Sequence, residues 1–424
     1  MLQSFLEITA DHPFSIQNLP YGIFSVAGRS ARVGVAIGDY VLDLRLLEER
    51  GLVPRLGVFG ESSLNPLMEK GAAAWRQLRK SIQELLDERN PRVPDDRSLR
   101  EHVLIPIQQV MLHFPVQVGD YTDFYSSKQH ASNVGAMFRG KENALLPNWL
   151  HLPVAYHGRS SSLVLSGASI RRPYGQIKRA DESQPRFEPS REMDFELEVG
   201  AFIGTGNKLG EPIPVGRAHE HLFGLVLVND WSVRDVQRWE YVPLGPFLAK
   251  NIGTSVSPWV VTMDALEPFR IKGPAQQPQP LPYLRHNQAR SYDINLEVGL
   301  QTGSMRSPAT ICRTNFRNLY WDMNQQIAHH TINGCNLRTG DLLASGTVSG
   351  EKRESFGSLL ELAWGGKDPI ELPNGEKRTF LEDGDTVIIT GYAQGDGFRV
   401  GFGEVRGTIL KARSDEWDGW DQCE

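Results

Sequence analysis

The chain has 424 residues, with 45 Lys and Arg against 51 Asp and Glu and a formal net charge of -6. That length exceeds what one hydrophobic core usually carries, so two or three domains are expected, and the scattered basic residues argue against nucleic acid as a partner. Cys312, Cys335 and Cys423 form no C-x-x-C pair, and neither a charged, apolar leader nor a run of about 18 apolar residues occurs. Disulfide framework, structural zinc, membrane span and secretion are therefore disfavoured, and a reducing cytoplasmic setting is expected.

In chain order, Tyr21 to Leu46 reads as short β-type runs punctuated by glycine, a small barrel or sheet. Gly71 to Arg89 follows as a helix with Trp75, Leu78, Ile82, Leu85 and Leu86 on one face, stopped at Asn90-Pro91. A boundary near Val103 to Pro115 divides the chain into 1–115 and 116–424. Beyond it β-text dominates in FELEVGAFIG, LFGLVLVND, SYDINLEVGLQTG, DLLASGTVSG and TVIITGYAQGDGFRVGFGEVRGTIL, with a few helices between. Lys272 to Pro282 (KGPAQQPQPLP) reads as a surface excursion between strands.

In REMDFELEVGAFIG, polar and apolar residues alternate, so Asp194, Glu196 and Glu198 are expected on one face of a strand. Glu-x-Glu alone is as common on a solvated strand edge. LFGLVLVND, however, has the pattern of a fully buried strand that presents Asp230 at its end, and VGDYTDFY adds Asp120 and Asp123 in an aromatic turn. Carboxylates without cysteine or paired histidine select hard cations, so calcium or magnesium is the expected ion, with Arg234 and Lys250 as candidates to balance excess negative charge. The residues alone leave Asp120 and Asp194 open as rivals for the coordination shell.

WSVRDVQRWEYVP reads as a helix stopped at Pro243, with Arg234, Gln237 and Tyr241 on one stripe; a solvated face is the commoner meaning of such a stripe. Most histidines suit core or capping roles, including His219, His221, His329 and His330. His130 differs in lying seven residues after Asp123, in a segment dense with Tyr121, Tyr125, Ser126 and Ser127. G-x-S-x-G, H-E-x-x-H, Walker and Rossmann patterns do not occur, which leaves a histidine base activating water beside a metal as the most economical chemistry.

Seven motifs in order, VGDYTDFYSSKQHASNVG, FRGKENALLPNWLHLPVAYHGR, MDFELEVGAFIG, HEHLFGLVLVNDWSVRD, QRWEYVPLGPFLAKNIGTSVSPW, NGCNLRTGDLLASGTVSG and FGSLLEL, resemble the fumarylacetoacetate hydrolase family from about Gln109 to Gly403. The resemblance implies a mainly β (α+β) chain, an N-terminal SH3-like barrel followed by a C-terminal β-roll, assembled as a homodimer. It implies Ca2+ or Mg2+ held by Asp123, Glu196, Glu198 and Asp230, with Lys250, Gly253 and Thr254 alongside for magnesium, and so drops Asp120 and Asp194. It implies His130 as base, oriented by Glu361, and Arg234, Gln237 and Lys250 as donors to an oxyanion. Substrate contacts fall on Tyr125, Arg139, Tyr156, Gln237, Tyr241 and Thr347. The implied reaction is hydrolysis of the carbon–carbon bond of 4-fumarylacetoacetate, the last step of tyrosine and phenylalanine catabolism. Other readings are a related acylpyruvate or diketo-acid hydrolase or decarboxylase, and a non-catalytic calcium-binding β-protein.

Overall fold

Three short runs rich in Val, Ile and aromatic residues, Tyr21–Ser25, Arg32–Ile37 and Tyr40–Asp43, pair antiparallel in the computed structural model of the protein. Leu104–Pro106 and Met111–His113 complete the sheet at its two edges, so a small β unit forms where the glycine-punctuated text predicts one. Gly38, at φ 51°, turns the chain tightly between the second and third strands. The structure describes residues 2–413 apart from Pro91 and Pro94; Cys423, the end of the segment expected to run to 424 and the Pro91 helix stop lie outside the described residues.

Helix Gly71–Leu86 buries the predicted stripe of Trp75, Leu78, Ile82, Leu85 and Leu86. It ends three residues before Arg89. Asp87 leaves helical geometry (φ -62°, ψ 131°), bridges to Ser4, and its carboxylate binds the backbone N–H and guanidinium of Arg89. Local side-chain hydrogen bonding of this kind competes with helical continuation, and a periodicity count does not see it.

The largest sheet runs Ala155–His157, Tyr121–Phe124, Leu342–Ala344, Leu197–Ile203, Leu222–Asp230, Thr254–Val256, Leu163–Leu165, with Val261–Thr262 beside Leu222–Asp230. All nine residues of Leu222–Asp230 are buried, as its unbroken apolar run predicts. The two faces of this sheet meet different cores. Leu197, Val199, Ala201, Leu225 and Leu227 face the second large sheet, built on the hairpin Thr386–Gln394 and Arg399–Leu410. Phe202, Val226, Val228, Leu342 and Ala344 join the core formed by the N-terminal sheet and helix. The N-terminal unit thus covers one face of the central sheet, and Glu198, Asp230 and Asp123 share the strand parity of that face.

Between Ile271 and Ser291 the Pro-rich excursion crosses the surface, where Gln276 exchanges amide hydrogen bonds with Gln325. Gln325 belongs to helix Met323–Thr331, which Asp322 starts with a capping box. His286 Nε2 lies 2.7 Å from the same Asp322 carboxylate. That hydrogen bond raises the His286 pKa above its ordinary value of 6.5. A raised histidine pKa stabilises the fold fully below the unfolded value and ceases to do so as pH rises through the folded one. Urea denaturation of His286→Ala should therefore show a loss about 1 kcal/mol larger at pH 5.5 than at pH 8.5; equal losses would assign the contact to packing alone.

Candidate metal centre and active site

Asp123, Glu196, Glu198 and Asp230 arrive from three strands and the residue before one of them, and offer carboxylate oxygens that all lie within 4.8 Å of one another, every residue buried. Like charges at that separation cost about 3–4 kcal/mol per pair at an effective dielectric near 20. Burial first, then the neighbouring carboxylates, drive Asp123 and Glu198 well above the usual carboxylate range. Oδ1 of Asp123 and Oε1 of Glu198 are buried without a hydrogen-bond partner. All-oxygen donors with two unsatisfied lone-pair sites fit a hard divalent cation, and this group is able to hold one.

Lys250, itself buried, donates to Glu196 and to Asp230 Oδ2 at 2.7 Å. Thr254 Oγ1 donates to Asp230 Oδ1 at 3.0 Å, and the Tyr156 hydroxyl lies 3.0 Å from Asp123 and 2.9 Å from Asp230. Arg234 reaches Glu196 Oε1 at 2.8 Å through Nη2, Asp194 Oδ2 at 2.8 Å through Nε, and Gln237 Oε1 at 3.0 Å through Nη1. Burial alone would raise the Glu196 pKa, but Lys250, Arg234 and His130 overcome it and hold the carboxyl below its usual range. Lys250 and Arg234, the latter shared with Asp194, do not balance the four carboxylates, and a divalent ion would supply positive charge that the cluster lacks.

Asp194 and Asp120 stand outside this group. The strand breaks at Phe195, and Asp194 accepts from the Arg234 guanidinium that it shares with Glu196 and from the backbone N–H of Leu359 and Leu360, outside the four carboxylates that converge. It fixes Arg234 rather than joining the cluster, against the expectation of one shared face. Asp120 is exposed and paired to Arg338 at 2.7 Å.

His130 sits in the first turn of helix Lys128–Arg139, which Ser127 caps. Its Nδ1 lies 2.7 Å from Glu361 Oε2, and its Nε2 is 3.9 Å from Glu196 Oε1. Glu361 also accepts from Asn133, Ser349 and Ser358, each at 2.9 Å. Burial opposes ionisation of Glu361, but His130 and these donors outweigh it and lower its pKa. A carboxylate on Nδ1 fixes the tautomer with Nε2 unprotonated, so the arrangement can take a proton at the nitrogen that faces the acidic cluster. Asn133 is one turn along from His130 and was readable from helical spacing; Ser349 and Ser358 carried no such signal, nor did the anchoring role of Asp194.

The remaining expected residues fall at varied distances from the cluster. Tyr125 sets its ring edge-on to His130, 5.2 Å between centroids. Thr347 is buried with its hydroxyl unpartnered, beside Gly346 whose N–H donates to Glu198. Tyr241 lies against Phe138 of the His130 helix. Arg139 gives donors to the backbone carbonyls of Asn143 and Ala144. Gly253 brings no side chain, and a Cβ there would stand 2.8 Å from Ile170.

Residues 120–410 match the family model described as fumarylacetoacetate (FAA) hydrolase C-terminal, and residues 17–115 that described as fumarylacetoacetase N-terminal. Fumarylacetoacetase of Mus musculus is 56% identical over 416 residues, 97% of this chain and 99% of the relative. Fumarylacetoacetase of Homo sapiens is 56% identical over 414 residues, 96% and 99% of the two chains. Among solved structures, fumarylacetoacetate hydrolase from psychrophilic Exiguobacterium antarcticum superposes with a TM-score of 0.50 at 18% identity, covering 93% of this chain and all of that one, which is a likeness of fold.

Proposed function

Because the chain belongs to the fumarylacetoacetate hydrolase family, we propose that it hydrolyses 4-fumarylacetoacetate to fumarate and acetoacetate, closing tyrosine and phenylalanine catabolism. The observation that carries this reading is the His130–Glu361 pair aimed at a buried, four-carboxylate cluster. A calcium or magnesium ion held by Asp123, Glu196, Glu198 and Asp230 would supply Lewis-acid stabilisation to the negative charge that develops as the enolate departs.

The chain's own groups account for the proton movements. His130 takes a proton from water at Nε2, and Glu361 stabilises the imidazolium at Nδ1. Hydroxide oxygen adds to the ketone carbonyl carbon of the fumaryl group, which becomes a carboxyl of fumarate, and the bond from that carbon to the neighbouring methylene breaks with its electron pair going to the acetoacetate carbon. His130 then returns the proton to that carbon. Arg234, Gln237 and Lys250 are the donors for the oxyanion, held in place by Asp194 and Glu196. Tyr125, Arg139, Tyr156, Tyr241 and Thr347 line the substrate. The working assembly is a homodimer in the cytoplasm, with 1–115 as the covering domain and 116–424 as the catalytic one. No described helix is long and apolar enough to cross a membrane.

The test follows loss of the conjugated diketone's ultraviolet absorbance on adding purified protein, with magnesium or calcium present and after exhaustive chelation. Turnover that disappears on chelation and returns with either ion is expected. Undiminished turnover in the chelated sample rejects the metal role, and consumption of acylpyruvates but not fumarylacetoacetate rejects the substrate.

A further inference from the structure

Lys250 is buried among carboxylates, yet the segment that delivers it has little packing of its own. After helix Arg234–Glu240 the chain makes an excursion in which Val242 is 66%, Leu244 96% and Phe247 65% exposed. Apolar side chains left in water do not fix a segment, so hydrogen bonds must set its position. Val233 N–H donates to the carbonyl of Ala249 at 2.9 Å across the base, and Gly245 N–H to that of Tyr241 at 2.7 Å. A single side chain supplies three more.

Glu240, the last residue of the helix, accepts from the backbone N–H of Phe247 at 2.7 Å and of Ala249 at 2.8 Å on Oε1, and from that of Leu248 at 3.1 Å on Oε2. These three groups open a turn in which the N–H of Lys250 and of Asn251 donate back to the Phe247 carbonyl, at 3.2 and 3.1 Å. The first N–H groups of such a turn have no acceptor within it, and the carboxylate supplies one. For its own helix the carboxylate is badly placed, because the C-terminal end of a helix dipole is negative. Its bonds all run forward to the turn, and the turn sets Lys250 against Glu196 and Asp230. Pro246, Phe247 and Lys250 also line a cavity of about 150 Å³ that reaches Tyr156 and Asp230.

We propose that Glu240 is a positioning residue for the reaction described above. Its carboxylate staples the turn that carries Lys250 to the helix that carries Arg234 and Gln237, so the donors for the oxyanion keep a fixed spacing. The three partners are backbone groups, and the effect of Glu240 reaches the chemistry through Lys250. Its bearing on turnover rests on the hydrolase reading; its hold on Lys250 does not.

Two measurements on full-length Glu240→Ala and Glu240→Gln test the staple. The first needs no turnover: acetic anhydride is pulsed onto the metal-free proteins, and acetylation of each lysine is read by peptide mass spectrometry. Lys250 should react about tenfold faster or more in Glu240→Ala, with exposed Lys80 and Lys208 unchanged as references. Glu240→Gln should fall between, since its one carbonyl oxygen can keep the two N–H groups that Oε1 holds. The second is steady-state kinetics with fumarylacetoacetate. Glu240→Ala should lower kcat and kcat/KM together by about tenfold or more, Glu240→Gln should recover part of the loss, and in a Lys250→Met background Glu240→Ala should cost nothing further. Equal protection of Lys250 in parent and Glu240→Ala overturns the proposal. So does faster acetylation of every lysine, which marks general loosening, or the same loss of kcat in both backgrounds, which places the effect elsewhere than Lys250. A parent that leaves fumarylacetoacetate unchanged while Lys250 loses protection in Glu240→Ala rejects the substrate and supports the staple.

Discussion

Replacing His130 with alanine is expected to lower the turnover of fumarylacetoacetate by about 10²–10⁴-fold, the range general-base catalysis supplies, while calcium or magnesium binding stays close to that of the parent protein. The separation of the two effects follows from geometry. His130 Nε2 is 3.9 Å from Glu196, so the imidazole faces the carboxylates without completing their coordination. Nor should the substitution unfold the site. Glu361 would lose His130 but keep Asn133, Ser349 and Ser358, so its buried charge retains three donors. Steady-state kinetics beside calorimetric titration of the metal resolves the two outcomes. A variant that turns over within a few-fold of the parent rejects His130 as the base, and one that loses the ion as well as the activity shows a structural role instead.

How much of this could be read from the sequence depends on how locally each feature is encoded. Asp230 was legible because seven residues of apolar text, Leu222 to Val228, lead up to Asn229-Asp230, the composition of a strand buried on both faces. Glu196 and Glu198 were legible as a pair because period two puts them together, but the same rule wrongly carried Asp194 along. What engages Asp194 instead is Arg234 and the N–H groups of Leu359 and Leu360, 165 residues and more downstream. The partnership of His130 with Glu361 spans 231 residues. No periodicity reaches that far, so it entered through family resemblance alone. The same holds for the N-terminal unit, whose β-character was local and readable, whereas its covering of the central sheet through Phe202, Val226 and Val228 is a property of packing.

The metal-ligand assignment predicts a change of sign in stability as well as a loss of function. Asp230→Ala should lose turnover and bind calcium or magnesium about a hundredfold more weakly, since the carboxylate is one of the four that converge among the described residues. In chelator, however, the variant should melt no lower than the parent. Three carboxylates repel less than four, and Lys250 keeps Glu196 as its partner even though it loses Asp230, as do Thr254 and Tyr156. Saturating ion should reverse that order. An ion at a hundred times its dissociation constant stabilises the parent by about 2.7 kcal/mol, and the variant, binding a hundredfold more weakly, gains at most about 0.4 kcal/mol. Thermal melts of both proteins with chelator and with calcium or magnesium check the crossing. A variant stabilised as much as the parent would show that the ion binds without Asp230, and a parent whose Tm is indifferent to every divalent ion would mean that the acids satisfy one another by sharing protons, as the raised pKa values of Asp123 and Glu198 permit when no cation is bound.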